Sequence, residues 1–587
     1  MKKNSFSYFA VAALSLTFAA CSQDDIVSNT DVITPDMETS YAKVRISMGS
    51  NFGTRAFSDE NFDRGTKEEA DVKSLSLMLY DDAGNLVGTG STNSITTPDD
   101  NRNGDAQSVS DAYTSTIVKV TLKPGSAKPT KMLAYVNANA SGNYDAVLSS
   151  RTAANAIGNV DDGFVMTNSG YYTNDSQENS WTITTTISED NLYDTAEEAK
   201  SGSPITIYVE RLAAKVSVTD ASSSATAEEN YVIKTPNGEE VTIKFEAKKW
   251  AVTALAKEMF TLKQQYESSL NTWANDSKHS RSYWAKGVNY DTPYADYLTN
   301  SNPLTYLSLN QIVSEKGGVG KDLDGSDVVY VPEHTVGGTT ISGSGFNGIM
   351  TSTSLIVVGK YTVTGAEGNE YSSRDEGHED DNHFYLALTG TEPGEDDSEK
   401  LVYTIYNEVE MIKELIKRSG VKLSSSSASE VTVDDNTLLD NFEVYTDNAD
   451  PNNKCLRLSY IGSSLYYQTE SGSWDALSQN QVKDASSNAK MYNNGWSYFW
   501  GPITHNAEQT GNVGYYGVVR NHSYQITINS FSGLGAPMDE FVGGGDPEEE
   551  EPDPDNPIIP EPDTRDAYIN ATLNVLSWHN IAYGVNF

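Results

Sequence analysis

The chain has 587 residues and is strongly acidic, with 82 Asp and Glu against 41 Lys and Arg and a formal net charge of -41. Nucleic acid and anionic membrane surfaces both require clustered Lys and Arg, so this charge balance argues against them as partners. The length allows two or more domains with separate cores, and abundant Tyr, Ser and Thr with few long apolar helical runs favour an all-β fold.

Lys2 and Lys3 precede a short apolar run from Tyr8 to Ala20, and Phe18-Ala19-Ala20-Cys21 has the form of a lipobox with Phe in place of the usual Leu. The run is too short to cross a bilayer and reads as a cleaved signal over residues 1–21, with Cys21 as the lipidation site. Ordinary signal cleavage beside an incidental cysteine is the alternative. No other run of about 18 apolar residues follows, so no membrane span is expected in the mature chain. The second cysteine, Cys455, is left without a partner for a mature disulfide.

From Tyr41 to Gly49 the residues Ala42, Val44, Ile46 and Met48 share one face, which predicts a strand. A glycine-rich polar stretch follows and holds Arg55 and Arg64, either a trypsin-like cleavage site or simply a surface loop. Alternation resumes at Leu75, Leu77 and Leu79, with a turn at Asp81 to Asn85, and further strands are expected at Ser115 to Leu122, Lys131 to Asn137 and Trp181 to Ile187. The run from Pro204 to Val218 is either one bent strand or two strands joined at Arg211. Val241 to Gln264 mixes helix and strand formers, and strand is preferred. A domain boundary is placed near residue 265, giving units 56–265 and 266–542. In the second unit, strands are expected at Asp327 to Pro332, Ser354 to Val363, His383 to Leu388, Phe442 to Tyr445, Leu456 to Tyr460, Val513 to Val519 and Ser523 to Ile528. Glu408 to Arg418 is the clearest helix, with Val409, Ile412, Leu415 and Ile416 at helical spacing.

Residues 543–563 are rich in Pro, Asp and Glu and read as an extended, self-repelling tether unable to join a packed core. After it, residues 564–587 alternate again: Ile569, Leu573 and Val575, then Ile581, Tyr583, Val585 and Phe587, fall on one face. Trp578 is out of phase, which predicts a bulge or turn near Ser577 to Asn580. A lone strand is not stable in water, so this one must pair either with its own body or with another molecule.

Chemistry is hard to assemble. Lys316 to Asp322 lacks both the first glycine and the magnesium-binding hydroxyl of a phosphate loop. Asp322 to Asp327, with Glu333, has the wrong residue where a calcium loop needs its glycine. His378 and His383 lie in an acidic loop with nothing to fix a metal geometry. No Ser-centred elbow or HExxH motif occurs, so no catalytic residues, metal site or cofactor are expected, and the protein reads as a non-enzyme. Tyr492, Trp496, Tyr498, Phe499 and Trp500 are either a carbohydrate platform or core, and core is preferred.

Several stretches together resemble one family: PITIYVERLAAKVSV, IKFEAKKWAV, VVRNHSYQITINSFSGLGAP, the acidic tether and the closing VLSWHNIAYGVNF. Their order is similar to that of the major fimbrial subunit of Bacteroidetes, the Mfa-type fimbrillin or type V pilin, and Ser22-Gln23-Asp24-Asp25 resembles the export signal of surface lipoproteins in the same phylum. The resemblance implies two tandem transthyretin-like β-sandwich domains with a C-terminal donor-strand arm. It implies export to the cell outer membrane as a lipoprotein precursor with a lipid, such as palmitate, on Cys21, and a propeptide over residues 22–55. An Arg-specific protease would cut between Arg55 and Ala56 and release the strand carrying Val44, Ile46 and Met48. The C-terminal strand would then fill the vacated groove of an identical subunit, with anchor and tip subunits as further partners of a fimbrium acting in adhesion and biofilm formation. The rival expectations are a monomeric surface lipoprotein or a tip or accessory subunit that binds glycan or host protein. Which C-terminal segment would fill the groove is left open.

Overall fold

The computed structural model describes residues 38–47, 62–63, 65–66, 68–93, 95, 114–139, 142–172, 181–220, 231–264, 285–299, 301–337, 350–364, 383–394, 399–447, 454–505, 514–531, 533–538, 547–549, 551–555, 557–559 and 569–578. Among these residues the fold is all-β with a few short helices, and no helix is long and apolar enough to cross a membrane.

The chain starts with β1 (Glu38–Ser47) and the two-residue β2 (Phe62–Asp63), then forms β3 (Leu75–Tyr80), β4 (Leu86–Thr92), β5 (Thr114–Leu122), β6 (Lys131–Val136) and β7 (Ile205–Arg211). Leaving β2 aside, these strands make the N-terminal sheet in the order β7-β1-β5-β4-β3-β6. The short strand Met166–Asn168 pairs with both β7 and β6, so the path of hydrogen bonds returns on itself. Leu75, Leu77 and Leu79 point into the main core, as their alternation predicts, while Met78 and Tyr80 on the opposite face are buried in a smaller cluster with Leu133 and Tyr135.

At Leu212 the chain changes sheets. The run from Pro204 to Val218 is two strands, and the second, β8 (Ala213–Asp220), lies in a different sheet from β7. This change falls ahead of the boundary expected near residue 265. Glu258–Phe260 then pairs back with Arg151–Ala153 of the first unit, so the stretch between belongs to both. The strands that follow around the central core are β9 (Tyr231–Lys234), β10 (Glu240–Thr253), β11 (Asp324–Pro332), β12 (Ser354–Thr364), β13 (Phe384–Pro393), β14 (Glu399–Tyr406), β15 (Trp496–Pro502), β16 (His522–Phe531) and β17 (Ile569–Trp578), while Phe442–Asp447 and Cys455–Tyr460 pair in a small separate sheet.

They form two sheets around one core. One has the order β2-β17-β16-β8-β11, and the other runs from Lys490–Tyr492 through β13-β14-β9-β10-β12-β15 to Ala536–Pro537. Val216 and Val218 from β8 and Tyr524 and Ile526 from β16 meet Ile243 and Phe245 from β10 in this core. The strand reading of the Val241 region holds because Val241, Ile243 and Phe245 are buried while Glu240, Thr242, Lys244 and Glu246 are exposed. The helix Glu408–Ser419 begins at an Asn407–Glu410 capping box and ends at Gly420 in the left-handed conformation, and it anchors a separate core inserted between β14 and Lys490.

The acidic stretch before the last strand departs from expectation where it is described. Ile558 is buried against Leu309, Ile312 and Trp500, and its N–H donates to the Leu307 carbonyl at 2.8 Å. Glu548 accepts from Glu315 N–H at 2.9 Å through its carbonyl and pairs with Lys360 at 3.1 Å. A buried isoleucine and a few polar contacts seat the described part of the strap without a core of its own.

Candidate functional site

The residues singled out by sequence fall at the two ends of the chain. β1 is an internal strand. It runs antiparallel to β5, from Glu38 opposite Leu122 to Ile46 opposite Thr114. On its other side it runs parallel to β7, from Val44 opposite Ile205 to Ser47 opposite Tyr208, and Tyr41 and Ala42 pair with Leu192–Tyr193. Ala42, Val44 and Ile46 are 1%, 0% and 0% exposed and pack with Leu77, Val118 and Ile207. On the opposite face, Lys43 Nζ donates to the carbonyls of Lys200 and Gly202 at 2.9 and 3.1 Å, closing the helix Ala196–Ser201 over the strand. Neighbours on both sides and a buried apolar row are what an alternating stretch acquires when the rest of the sheet leaves it a slot.

The last strand lies in the other unit. β17 pairs antiparallel with β16 of its own chain, from Phe531 opposite Ile569 to His522 opposite Ser577, which places the backbones of Leu573 and Val575 opposite Ile526 and Tyr524. The strand is continuous through Ser577 and Trp578. The register shift occurs on the partner, between Ile528 and Ser530. On its outer edge β17 meets β2 in parallel, Phe62 opposite Ser577 and Asp63 opposite Trp578.

Around β2 the two units join through buried charges that the sequence gave no reason to connect. Asp63 lies 3.1 Å from Lys215, and Lys215 lies 3.0 Å from Glu69. Tyr330 donates to Glu69 Oε1 at 2.7 Å, and Arg211 Nε donates to the Glu69 carbonyl at 2.9 Å. Burial pushes the Arg211 guanidinium down to about 10, against the pull of Glu69 and Asp63. Burial also pushes Asp63 up, but polar neighbours led by Ser523 and Lys215 outweigh it and hold the carboxyl below its ordinary value. Close by, Arg520 and Glu333 form a fully buried pair at 3.0 Å, with Arg520 also donating to the carbonyls of Thr261 and Phe260. Lys263 and Glu210 form another at 3.2 Å. The available signal was local: Arg211 interrupts an alternating run just where the strand breaks.

Cys21, Met48, Arg55, Ala56, Ile581, Tyr583, Val585 and Phe587 lie outside the described residues, as does His378. Tyr492, Trp496, Tyr498, Phe499 and Trp500 are all buried, which is the core reading. Gly318 and Gly320 in Lys316 to Asp322 serve packing: a Cβ on Gly320 would lie 2.2 Å from the Ile312 carbonyl oxygen. Asp324 closes a local turn on Ser326, and His383 Nδ1 accepts from Asn494 N–H at 3.2 Å. Among the described residues no group of three or more His, Cys, Asp or Glu is placed to hold a metal.

Residues 490–583, from the strand before β15 into the C-terminal arm, match the family model described as major fimbrial subunit protein type IV, fimbrillin, C-terminal. No curated protein matches the sequence. Among solved structures the chain is similar to a fimbrilin, FimA, from Porphyromonas gingivalis, at 14% identity and a TM-score of 0.36, covering 92% of this chain and 98% of that one. It is similar to the tip fimbrial protein Mfa3 from the same species, with C-terminal truncation, at 10% identity and a TM-score of 0.29, covering 92% and 100%. It is also similar to a fimbrial assembly protein from Parabacteroides distasonis, at 11% identity and a TM-score of 0.25, covering 75% and 100%. The match over residues 490–583 supports the resemblance to the Bacteroidetes fimbrillins.

Proposed function

We propose that this protein is the polymerising shaft subunit of a cell-surface fimbria, built as two tandem transthyretin-like domains with a C-terminal donor arm. It is exported to the outer membrane as a lipoprotein on Cys21, cut by an Arg-specific protease between Arg55 and Ala56, and joined head to tail by donor-strand exchange. The observation that carries this reading is the setting of β1, hydrogen-bonded on both sides with Ala42, Val44 and Ile46 buried. Loss of such a strand leaves two unpaired sheet edges and an apolar slot, a template for another strand. Each fully buried apolar side chain contributes roughly 1.5–3 kcal/mol, so a donor presenting Ile569, Leu573 and Val575, or Ile581, Tyr583, Val585 and Phe587, supplies a durable joint. A head-to-tail contact that does not close on itself builds a filament.

The experiment is to treat wild type and Arg55→Ala with an Arg-specific protease and view both by electron microscopy. Wild type is expected to form filaments and the variant to remain monomeric; filaments from the variant would remove Arg55 from the scheme.

A second reading is favoured by one observation: β17 pairs with β16 of its own chain. In this reading the strand completes its own body, and the protein is a monomeric surface lipoprotein or a tip or accessory subunit that binds glycan or host protein. Deleting Ile569 to Phe587 separates the two. A folded monomer that cannot elongate supports exchange, and loss of folding supports the second reading.

A further inference from the structure

We propose that Phe62 and Asp63, together with Glu69, form a latch that holds the last strand on its own chain until the strand is given to a neighbour, a role that rests on β17 belonging to the donor arm. β2 contributes only Phe62 and Asp63 to the ladder, opposite Ser577 and Trp578 at the end of β17. Two ladder residues are too few to hold a strand unaided. The fastening is the Asp63 side chain. In the sheet order β2-β17-β16-β8-β11, two strands separate β2 from β8, yet the Asp63 carboxylate lies 3.1 Å from Lys215 on β8. The ion pair therefore straddles β17 and β16 like a clasp, at the end where Ser577 lies opposite His522.

Both jaws of the clasp are rooted. The Gly65 N–H donates to Asp63 Oδ1 at 2.9 Å. Lys215 is gripped from its other side by Glu69 at 3.0 Å. Thr66 N–H donates to Glu69 Oε2 at 2.7 Å, and the Glu69 side chain also takes the Tyr330 hydroxyl. Asp63 and Lys215 are only 15% and 11% exposed, so the pair is screened little by solvent, and removing Asp63 leaves Lys215 to Glu69 and unties β2 from β8. β2 follows the Arg55 stretch in the chain. A cut there leaves β2 joined to the rest of the chain on its C-terminal side alone, which returns chain entropy when β2 lifts. One cut would thus open the slot of β1 and weaken the hold on β17 together.

The test is amide hydrogen exchange, resolved by peptide, on the full chain before cutting. In Asp63→Asn, the amides of β17 and β16 are expected to exchange about tenfold faster or more, as a local opening, while those of β10 and β12 keep the wild-type rate. Asp63→Glu, which keeps the charge, is expected to restore protection to within about twofold of wild type. Unchanged exchange in β17 of Asp63→Asn, or an equal rise in β10 and β12, would overturn the latch. Filament formation after cutting is scored separately. Faster exchange without filaments keeps the latch and removes donor-strand exchange, whereas filaments with unchanged exchange keep donor-strand exchange and remove the latch.

Discussion

At the scale of single residues, the joint between the two units is held by charges taken out of water. Arg520 and Glu333 are both fully buried and 3.0 Å apart, and Asn521 accepts from the Arg211 guanidinium at 3.2 Å while holding the left-handed conformation at φ 58°. Asn adopts that conformation more readily than most residues, which suits it to a tight turn carrying a polar side chain. Burying two ions costs about as much as their attraction returns, so the pair gives fixed geometry more than net stability. Removing one partner is different in kind. Arg520→Leu leaves Glu333 charged and dry, and we expect a loss of about 3–5 kcal/mol in urea unfolding. Arg520→Leu with Glu333→Leu removes both charges and is expected to recover most of that loss. A double variant as unstable as the single one would show that the carbonyl contacts to Thr261 and Phe260, not the ion pair, hold the joint. None of this was legible in the sequence. Arg520 and Glu333 are far apart along the chain, and in a protein with 82 acidic residues a carboxylate carries no mark of its partner.

At the scale of elements, legibility followed the pattern of burial. β1, β5, β10 and β16 have one face toward a core, and their period-two alternation marked them. The helix Glu408–Ser419 announced itself by its apolar spacing. β15 did not stand out as a strand, because WSYFW is buried on both sides: Phe499 faces the central core, while Trp496 and Trp500 are covered by the helix Leu309–Val313 and by Ile558. That cover arrives from distant parts of the chain, so local periodicity is lost. The acidic strap departs from its expectation for a related reason, since composition averages away single residues such as Ile558 and Glu548 that dock it. For β1 the element-scale consequence is quantitative. Ile46 is wholly buried, and truncating such a side chain in a packed core costs about 2–5 kcal/mol. Ile46→Ala is therefore expected to lower the stability of the uncut protein by that amount in urea unfolding. If β1 leaves after cutting, the assembled protein made from this variant should be as stable as wild type. A deficit that persists in the filament would place β1 in the mature subunit.

At the scale of the whole molecule, the net charge of -41 sets the terms on which copies meet. It keeps monomers apart, which suits the proposed strand exchange, because a vacated slot and a donor strand on a neutral protein invite early association. Assembly has to overcome the same repulsion. The Debye length falls from about 30 Å at 0.01 M salt to about 8 Å at 0.15 M, so added salt removes most of the barrier between whole subunits while leaving burial of apolar side chains almost untouched. Filament growth from cut protein, followed by light scattering, is therefore expected to accelerate as salt rises over that range. Encounter between complementary charged patches has the opposite dependence, since salt screens attraction as well. Growth that slows with salt would mean that local patches steer the strand into its slot despite the net charge. The first step would then be an electrostatic docking that precedes strand exchange, and the charges to seek would be those flanking β5 and β7, the two strands that border the slot.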